Sequence, residues 1–421
     1  MKRHPLVWLL LAATILAGAA PAAARTCSLD VVPAATLLLP YFEVDLGNAS
    51  GRTTLISIIN ATDRAALARV VLWTDLGVPT LAFDVYLTGY DVQTINLRDL
   101  FAGRLPRTAS ASEDPSDDIS PHPQGGLAQD VAFPGCAGLL PPADLSAPFV
   151  EHLQRVHRGF DSPLLEGKCA AQFFGDALAR GYATVDVVRR CSTLTPADAG
   201  YFGPDGVAGN DNVLWGDFYL VDPAGNLAQG ENLVRIESDP ARFAGRPTFY
   251  GRYVGSSGAD GREPLPTVWG ARFINGGAFT GGTDFLYWRD SRVKNQPFPC
   301  NQRPAWFPIP WEFERTTVFD EQESVDRPGC VITCPPPPPS PFPAESGRVA
   351  VDSPALPVPF EFGWWHLDMK TNLGVSAPLG QSWLGALHDA QNLFSVGLEA
   401  EPFDSGCAPR NLMPGIPPGS N

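Results

Sequence analysis

Methionine is down to three residues in this 421-residue chain, lysine is scarce, and charged side chains make up only 18% of it. That profile excludes a coiled coil, whose heptads need charged flanks at regular spacing. After the first 24 residues no apolar run approaches the roughly 18 residues that a membrane-spanning helix needs. Catalytic signatures are missing too. There is no Gly-x-Ser-x-Gly elbow, and Gly255-Ser256-Ser257-Gly258 is one residue short of it and reads as a loop. No His-Glu-x-x-His, no P-loop and no Gly-x-Gly-x-x-Gly opening a helix is found. Beyond the N-terminal segment only His122, His152, His157, His366 and His388 remain. His152 and His157 are five apart, on different faces of a helix, which argues against a shared metal. A Ser-His-Asp triad meets only in space and stays open.

What is abundant is turn chemistry. Pro 43 and Gly 41, with 44% hydrophobic residues, suit many short strands joined by turns around a large core. The expected fold is mainly all-β: an antiparallel β-sandwich, one or two units, with a small helical and loop insertion. Residues 1–24 read as a secretory signal peptide, with Lys2, Arg3 and His4 before the apolar Leu6 to Ala20 and small residues at Ala22-Ala23-Ala24. Cys27 lacks a lipobox before it, which disfavours a lipid anchor. Without residues 1–24 the chain keeps 28 basic and 45 acidic side chains, a net charge of −17. That balance disfavours nucleic acid and anionic membranes as partners.

All eight cysteines follow the leader: Cys27, Cys136, Cys169, Cys191, Cys300, Cys330, Cys334 and Cys407. An even count in an exported chain implies up to four disulfides, with 105 possible connectivities. Local pairing is expected: two bonds among Cys136, Cys169, Cys191 and one other, and Cys300 with Cys330 or Cys334. Cys27 and Cys407 are placed to tie the termini. Cys330-x3-Cys334 lacks a matching second pair, so zinc is the weaker reading.

Strands are expected over Thr36 to Phe42, Thr53 to Asn60, Arg69 to Trp73, Leu81 to Leu87 and Val92 to Leu97, a first block within residues 25–105. Leu55 to Ile59 is apolar on both faces, as a central strand would be. In Leu81 to Leu87 the apolar positions alternate with Ala82, Asp84 and Tyr86, which implies one buried and one partly wet face. Residues 106–180 form a loop and helical insertion, Ser/Asp/Pro-rich over Ser110 to Gly126. A helix is expected near Ser146 to Val156, with Glu151, His152, Gln154 and Arg155 facing solvent, and a short one from Ala170 to Ala179. A second β-rich block spans residues 181–334, with strands at Tyr182 to Cys191, Val213 to Val221, Leu233 to Glu237, Thr248 to Val254, Val268 to Asn275, Phe285 to Trp288 and Thr316 to Asp320. Residues 335–343 are a stiff polyproline spacer. Strands at Phe360 to Asp368 and Phe394 to Ala400 complete the block within 344–408, with Gln381 to Gln391 a short helix or loop, and 409–421 is a disordered tail.

Three constellations carry potential chemistry. Trp364, His366 and Asp368 share one face of a strand, while Trp365 shares the other with Glu361 and Leu367. Rings beside carboxylates suit a sugar, although core and interface packing is the commoner explanation of a Trp pair. Asp205, Asn210, Asp211 and Asn212 crowd oxygens onto a Gly-rich loop, the only hint of calcium, without the EF-hand spacing. Asp217, Asp284, Asp290, Glu312, Glu314, Asp320, Glu321 and Glu323 supply carboxylates from which a glycosidase would need two flanking a cleft. Asn48-Ala49-Ser50 and Asn60-Ala61-Thr62 match the glycosylation pattern, and neither is expected to be used.

The phrases Leu38-Leu39-Pro40-Tyr41-Phe42-Glu43-Val44, Leu72-Trp73-Thr74-Asp75-Leu76-Gly77-Val78-Pro79-Thr80 and Phe83-Asp84-Val85-Tyr86-Leu87-Thr88-Gly89-Tyr90-Asp91 resemble stretches of exported bacterial β-rich proteins of no known function. Ala179-Arg180-Gly181-Tyr182 and Arg272-Phe273-Ile274-Asn275-Gly276-Gly277 extend the likeness. The resemblance implies a secreted β-rich protein and says nothing of activity. The expectation is an exported, non-enzymatic β-sandwich protein of the envelope or extracellular space, for adhesion or ligand binding. No cofactor and no membrane insertion are expected, and a carbohydrate or protein is the ligand. The alternative is a carbohydrate-binding or carbohydrate-active protein using Trp and carboxylate surfaces.

Overall fold

The computed structural model describes residues 32–107, 133–140, 142–311, 316–326, 340–370, 380–391 and 393–403. The leader at 1–24, Cys27, Cys330, Cys334, Cys407, Glu312, Glu314, the whole Ser110 to Gly126 stretch with His122, most of the polyproline spacer, and the tail at 409–421 lie outside the described residues.

The fold is all-β, built from four antiparallel sheets in two sandwich-like units. The first unit uses β1 (Thr36–Asp45), β2 (Thr53–Asn60), β3 (Ala66–Thr74), β4 (Pro79–Leu87), β5 (Val92–Asn96), β6 (Leu178–Val187), β7 (Leu214–Asp222), β8 (Leu227–Asn232) and β9 (Val234–Ile236). Its sheets run β4-β3-β6-β1-β9 and β5-β2-β7-β8. Strands from either side of the 106–180 stretch interleave: β6 lies between β3 and β1, and β7 completes the sheet of β2. The second unit uses β10 (Val268–Ile274), β11 (Gly282–Arg289), β12 (Thr317–Asp320), β13 (Val325–Asp326), β14 (Ser346–Ala350), β15 (Phe362–Asp368), β16 (Ser382–Asp389), β17 (Ser395–Glu399) and β18 (Glu401–Pro402). Its sheets run β13-β12-β15-β10-β18 and β14-β11-β16-β17.

Period-two patterning is clear in β2, β7 and β15, whereas β1, β3 and β16 are buried along nearly all their length as interior strands. In β2 the pattern alternates strictly: Ile56 and Ile58 enter the core, while Leu55, Ser57 and Ile59 lie half-buried on the outer face. The strand is interior to its sheet, yet its second apolar face is covered only in part. The reverse holds for β4. Asp84 and Tyr86, expected on a partly wet face, are buried, because Cys136, Leu140, Val188, Tyr201 and Val207 pack a second small core over that side with Leu67. Asp84 is accommodated there by Arg69, whose Nη1 donates to Asp84 Oδ1 at 2.8 Å.

Several local expectations are overturned. The helix Ala147–Val156 forms, with Leu153 and Val156 in the core, but His152 turns inward and bonds Ser162 at 2.7 Å. Residues 170–177 make no helix: Asp176 caps Leu178 N at the start of β6, and Phe173 and Phe174 stay exposed. Thr248 to Val254 is a turn ending in the helical turn Gly251–Val254, fastened where Tyr250 N donates to Asp260. Gln381 to Gln391 is β16, a buried interior strand, because burial between β11 and β17 outweighs its weak β propensity. Among the described residues the disulfides are Cys136–Cys191 and Cys169–Cys300. The first is a local pair as expected. The second corrects the expected Cys300 partner: the bond reaches back 131 residues, where Cys169 and Phe298 pair as a β-bridge.

The two units share one hydrophobic core and a polar joint. Ser346 Oγ donates to Pro40 O at 2.7 Å, and Arg348 pairs with both Asp284 and Glu43. Among the described residues no helix is long and apolar enough to cross a membrane.

Candidate binding face

The β15 sequence FGWWHLD alternates, and the structure sorts it accordingly. Trp365 and Leu367 are fully buried. Phe362, Trp364, His366 and Asp368 occupy the opposite, outer face, with Phe362 45% exposed. Trp365 therefore belongs to the core and not to the face.

Neighbouring strands extend the face. Phe319 of β12 stands opposite Trp364 in register and stacks on it, with ring centroids 4.4 Å apart and planes 10° off parallel. Phe403, just past β18, meets Trp364 edge-on at 5.9 Å and stacks against His366 at 5.7 Å. Arg272 of β10, opposite Trp364 on the other side, is exposed. The result is a half-buried aromatic strip crossing three strands, rimmed by one guanidinium. Asp368 closes its end, with Oδ1 accepting from Lys370 N at 3.0 Å and Lys370 Nζ 3.6 Å from Oδ2. Phe319 already covers one indole face of Trp364, so the strip offers ring edges and one remaining face.

The other constellations are not gathered into a site. Asn210 Oδ1 accepts from Ser238 Oγ at 3.0 Å and from Arg262. Asn212 exchanges two hydrogen bonds with the Ser238 backbone, while Asp205 and Asp211 point to solvent. Those amide oxygens fasten a loop to the strand end after β9. Among the described residues no group of three metal-ligating side chains occurs.

The carboxylates scatter. Asp217 accepts from Ser57 at 2.7 Å, Asp284 pairs with Arg348, and Asp320 holds the β12–β13 turn through Gln322 N and Ser324 N beside exposed Glu321 and Glu323. Asp290 does find a partner carboxylate, Glu345, but both lie buried around the guanidinium of Arg252. Glu345 also accepts from Tyr182, Ser291 and Asn295. Burial raises Asp290 above the usual carboxylate range, Arg252 opposes that shift, and Glu345 adds to it. The pair is thus enclosed and engaged by Arg252 at the joint between the units.

Three buried histidines, His152, His157 and His388, are equally committed. His157 bonds Thr80 at 2.7 Å and the Arg180 carbonyl at 2.8 Å, and burial drives it down to about 4. His388 bonds Thr283, and burial lowers it as well. Asn60, in a glycosylation pattern, is fully buried with its amide on the Arg64 and Thr88 carbonyls.

Phe319, Phe403 and Arg272 were not singled out by sequence reasoning. The alternation of Val318 and Phe319 was a usable signal for the first, whereas Phe403 follows a two-residue strand with no periodicity to read. Neither models of protein families, nor curated proteins, nor solved structures match this chain.

Proposed function

We propose that this chain is an exported, non-enzymatic binding protein of the cell envelope or extracellular space that engages its ligand through the outer face of β12, β15 and β10. The observation that carries the reading is the Phe319–Trp364–Phe403 strip held half-open on a rigid sheet. Contiguous, partly exposed apolar surface with Phe362 open at its end is the kind that marks interaction sites. The contrast with the interior supports it, since the one close carboxylate pair described above is spent on Arg252. Two disulfides suit an oxidising compartment.

Carbohydrate is the second reading, favoured by Trp364, His366 and Asp368 on one face. Screening the secreted form against a glycan array and an array of extracellular-matrix proteins separates the two classes. Trp364→Ala is expected to weaken the bound ligand at least tenfold with little change in melting temperature. Undiminished binding by that variant would sink the assignment to this face, and glycan hits lost on Trp364→Ala select the second reading.

A further inference from the structure

The aromatic face carries a resident ring. Phe403 lies over Gly270 of β10, and the three atoms nearest to a Cβ at position 270 all belong to that ring. Gly270 has no left-handed φ, so the backbone does not itself call for glycine here. What the missing Cβ provides is a hollow in the sheet that admits one flat ring. His366, opposite Gly270 in register, stacks on the ring at 5.7 Å with planes 21° apart, and Trp364 closes one side edge-on.

The occupant is lightly held. It follows β18, which is two residues long and sets Pro402, with no N–H to donate, against β10. Phe403 N donates to Val268 O at 2.8 Å, and the side chain stays half-buried. Firm anchorage ends just before it, where buried Ala400 donates its N–H to Leu384 O at 3.1 Å. A segment with so few bonds and so little burial opens at low cost.

The surroundings define what replaces it. Val268 O is a main-chain acceptor at the strand edge, which suits a polypeptide. Asp368, the carboxylate that a sugar would use, is engaged by Lys370. Arg272, two residues along the same face of β10, is exposed and has no ion pair among the described residues, so it complements an acidic side chain. The chain's own Phe403-Asp404 has that pattern.

We infer that the Gly270 hollow is a subsite for an aromatic side chain of a partner polypeptide, with an acidic residue beside it, and that Phe403 is a displaceable stand-in. The inference rests on the assignment of this face above and makes the ligand a protein.

Calorimetric titration of the full-length protein with a synthetic peptide of residues 399–406 tests this. A hollow vacant no more than about a tenth of the time weakens apparent affinity about tenfold. Phe403→Ala vacates it and should bind the peptide about tenfold more tightly than wild type. Adding Gly270→Val fills the hollow and should abolish binding, as should replacing the peptide's phenylalanine by alanine. Equal affinity for wild type and Phe403→Ala, no binding to either, or binding that survives Gly270→Val overturns the subsite. Arg272→Glu should weaken the peptide, and unchanged affinity overturns the acidic neighbour. Wild type gives an independent reading by hydrogen exchange: excess isotope-labelled peptide should speed exchange at 401–403, and unmoved exchange overturns the stand-in. Array ligands separate the two assignments. A ligand lost on Trp364→Ala but bound equally by Phe403→Ala and wild type keeps the face and overturns the subsite, whereas ligands indifferent to Trp364→Ala overturn the face.

Discussion

Gly77 lies against Glu345: a Cβ on Gly77 would overlap Glu345 Oε2 and Asn295 Nδ2. The β3–β4 turn of the first sandwich is thereby pressed onto the buried carboxylate of the second. The turn also supplies backbone acceptors, since Glu345 N donates to Asp75 O at 2.9 Å and Gly77 N to Thr74 O. One glycine thus lets a turn serve as the socket of the joint between the units.

Gly77→Ala should be severely destabilising. Its φ is +72°, which costs a side chain about 1–2 kcal/mol. Displacing Glu345 from Arg252 exposes a buried pair whose disruption costs about 3–5 kcal/mol. Chemical denaturation is expected to show a loss above about 3 kcal/mol. A variant within 1 kcal/mol of wild type would show that the joint tolerates movement at Gly77.

The disulfides make a covalent prediction. Peptide mapping without reduction should recover Cys136 linked to Cys191 and Cys169 linked to Cys300. Replacing both members of the second pair by serine should cost about 2–5 kcal/mol, since that bond closes the longer loop. Recovery of Cys300 linked to Cys330 or Cys334 would contradict the pairing.

Legibility in the sequence followed the range of the interactions. The strand Thr53–Asn60 could be read to the residue, because a short β-branched apolar run ending in Asn60-Ala61-Thr62-Asp63 turn chemistry is a local signal, although its alternating burial was not read. The sorting of Trp364 from Trp365 was legible because alternation along a strand is local too. Ser382–Asp389 was not, since Gly385, Ala386 and Asp389 carry weak strand propensity and only burial between two partners makes it a strand. The burial of Asp84 depends on a cover contributed from beyond residue 133. Glu345 meets Arg252 across 93 residues of chain, a contact with no sequence signature.

The pH dependence of stability should carry a mark of Asp75. Burial lifts its carboxyl to about 7, against the bonds from Gln172 that favour the anion. The unfolded chain loses this proton near pH 4, so the folded state binds more protons between about 4 and 7. Asp75 therefore contributes stability that is complete below pH 4 and falls away as pH rises to 7, by about 4 kcal/mol at most. His157, lowered to about 4, works in the opposite sense, its share being lost as pH falls from about 6.5. Because the two slopes partly cancel, the measurement is a difference: urea unfolding of wild type and Asp75→Asn at several pH values. The gap should change steadily between pH 4 and 7, with the variant gaining relative to wild type as pH rises. A constant gap would mean that Asp75 titrates normally.

The paired tryptophans of β15 separate stability from recognition. Trp365 is fully buried in the shared core, so Trp365→Ala leaves a large void and should cost about 3–5 kcal/mol. Trp364 lies half-buried and its best contact is the stack on Phe319, worth about 0.5–1.5 kcal/mol beyond buried area. Trp364→Ala should therefore lower stability by about 1–2 kcal/mol, leaving a folded protein in which ligand binding can be measured. Phe319→Ala should weaken binding too, because Trp364 loses the ring that holds it upright. A cycle of Trp364→Ala, Phe319→Ala and the double variant tests whether the two rings act as one element. Binding losses that fail to add indicate a single recognition unit, whereas strict additivity would mean that each ring meets the ligand independently.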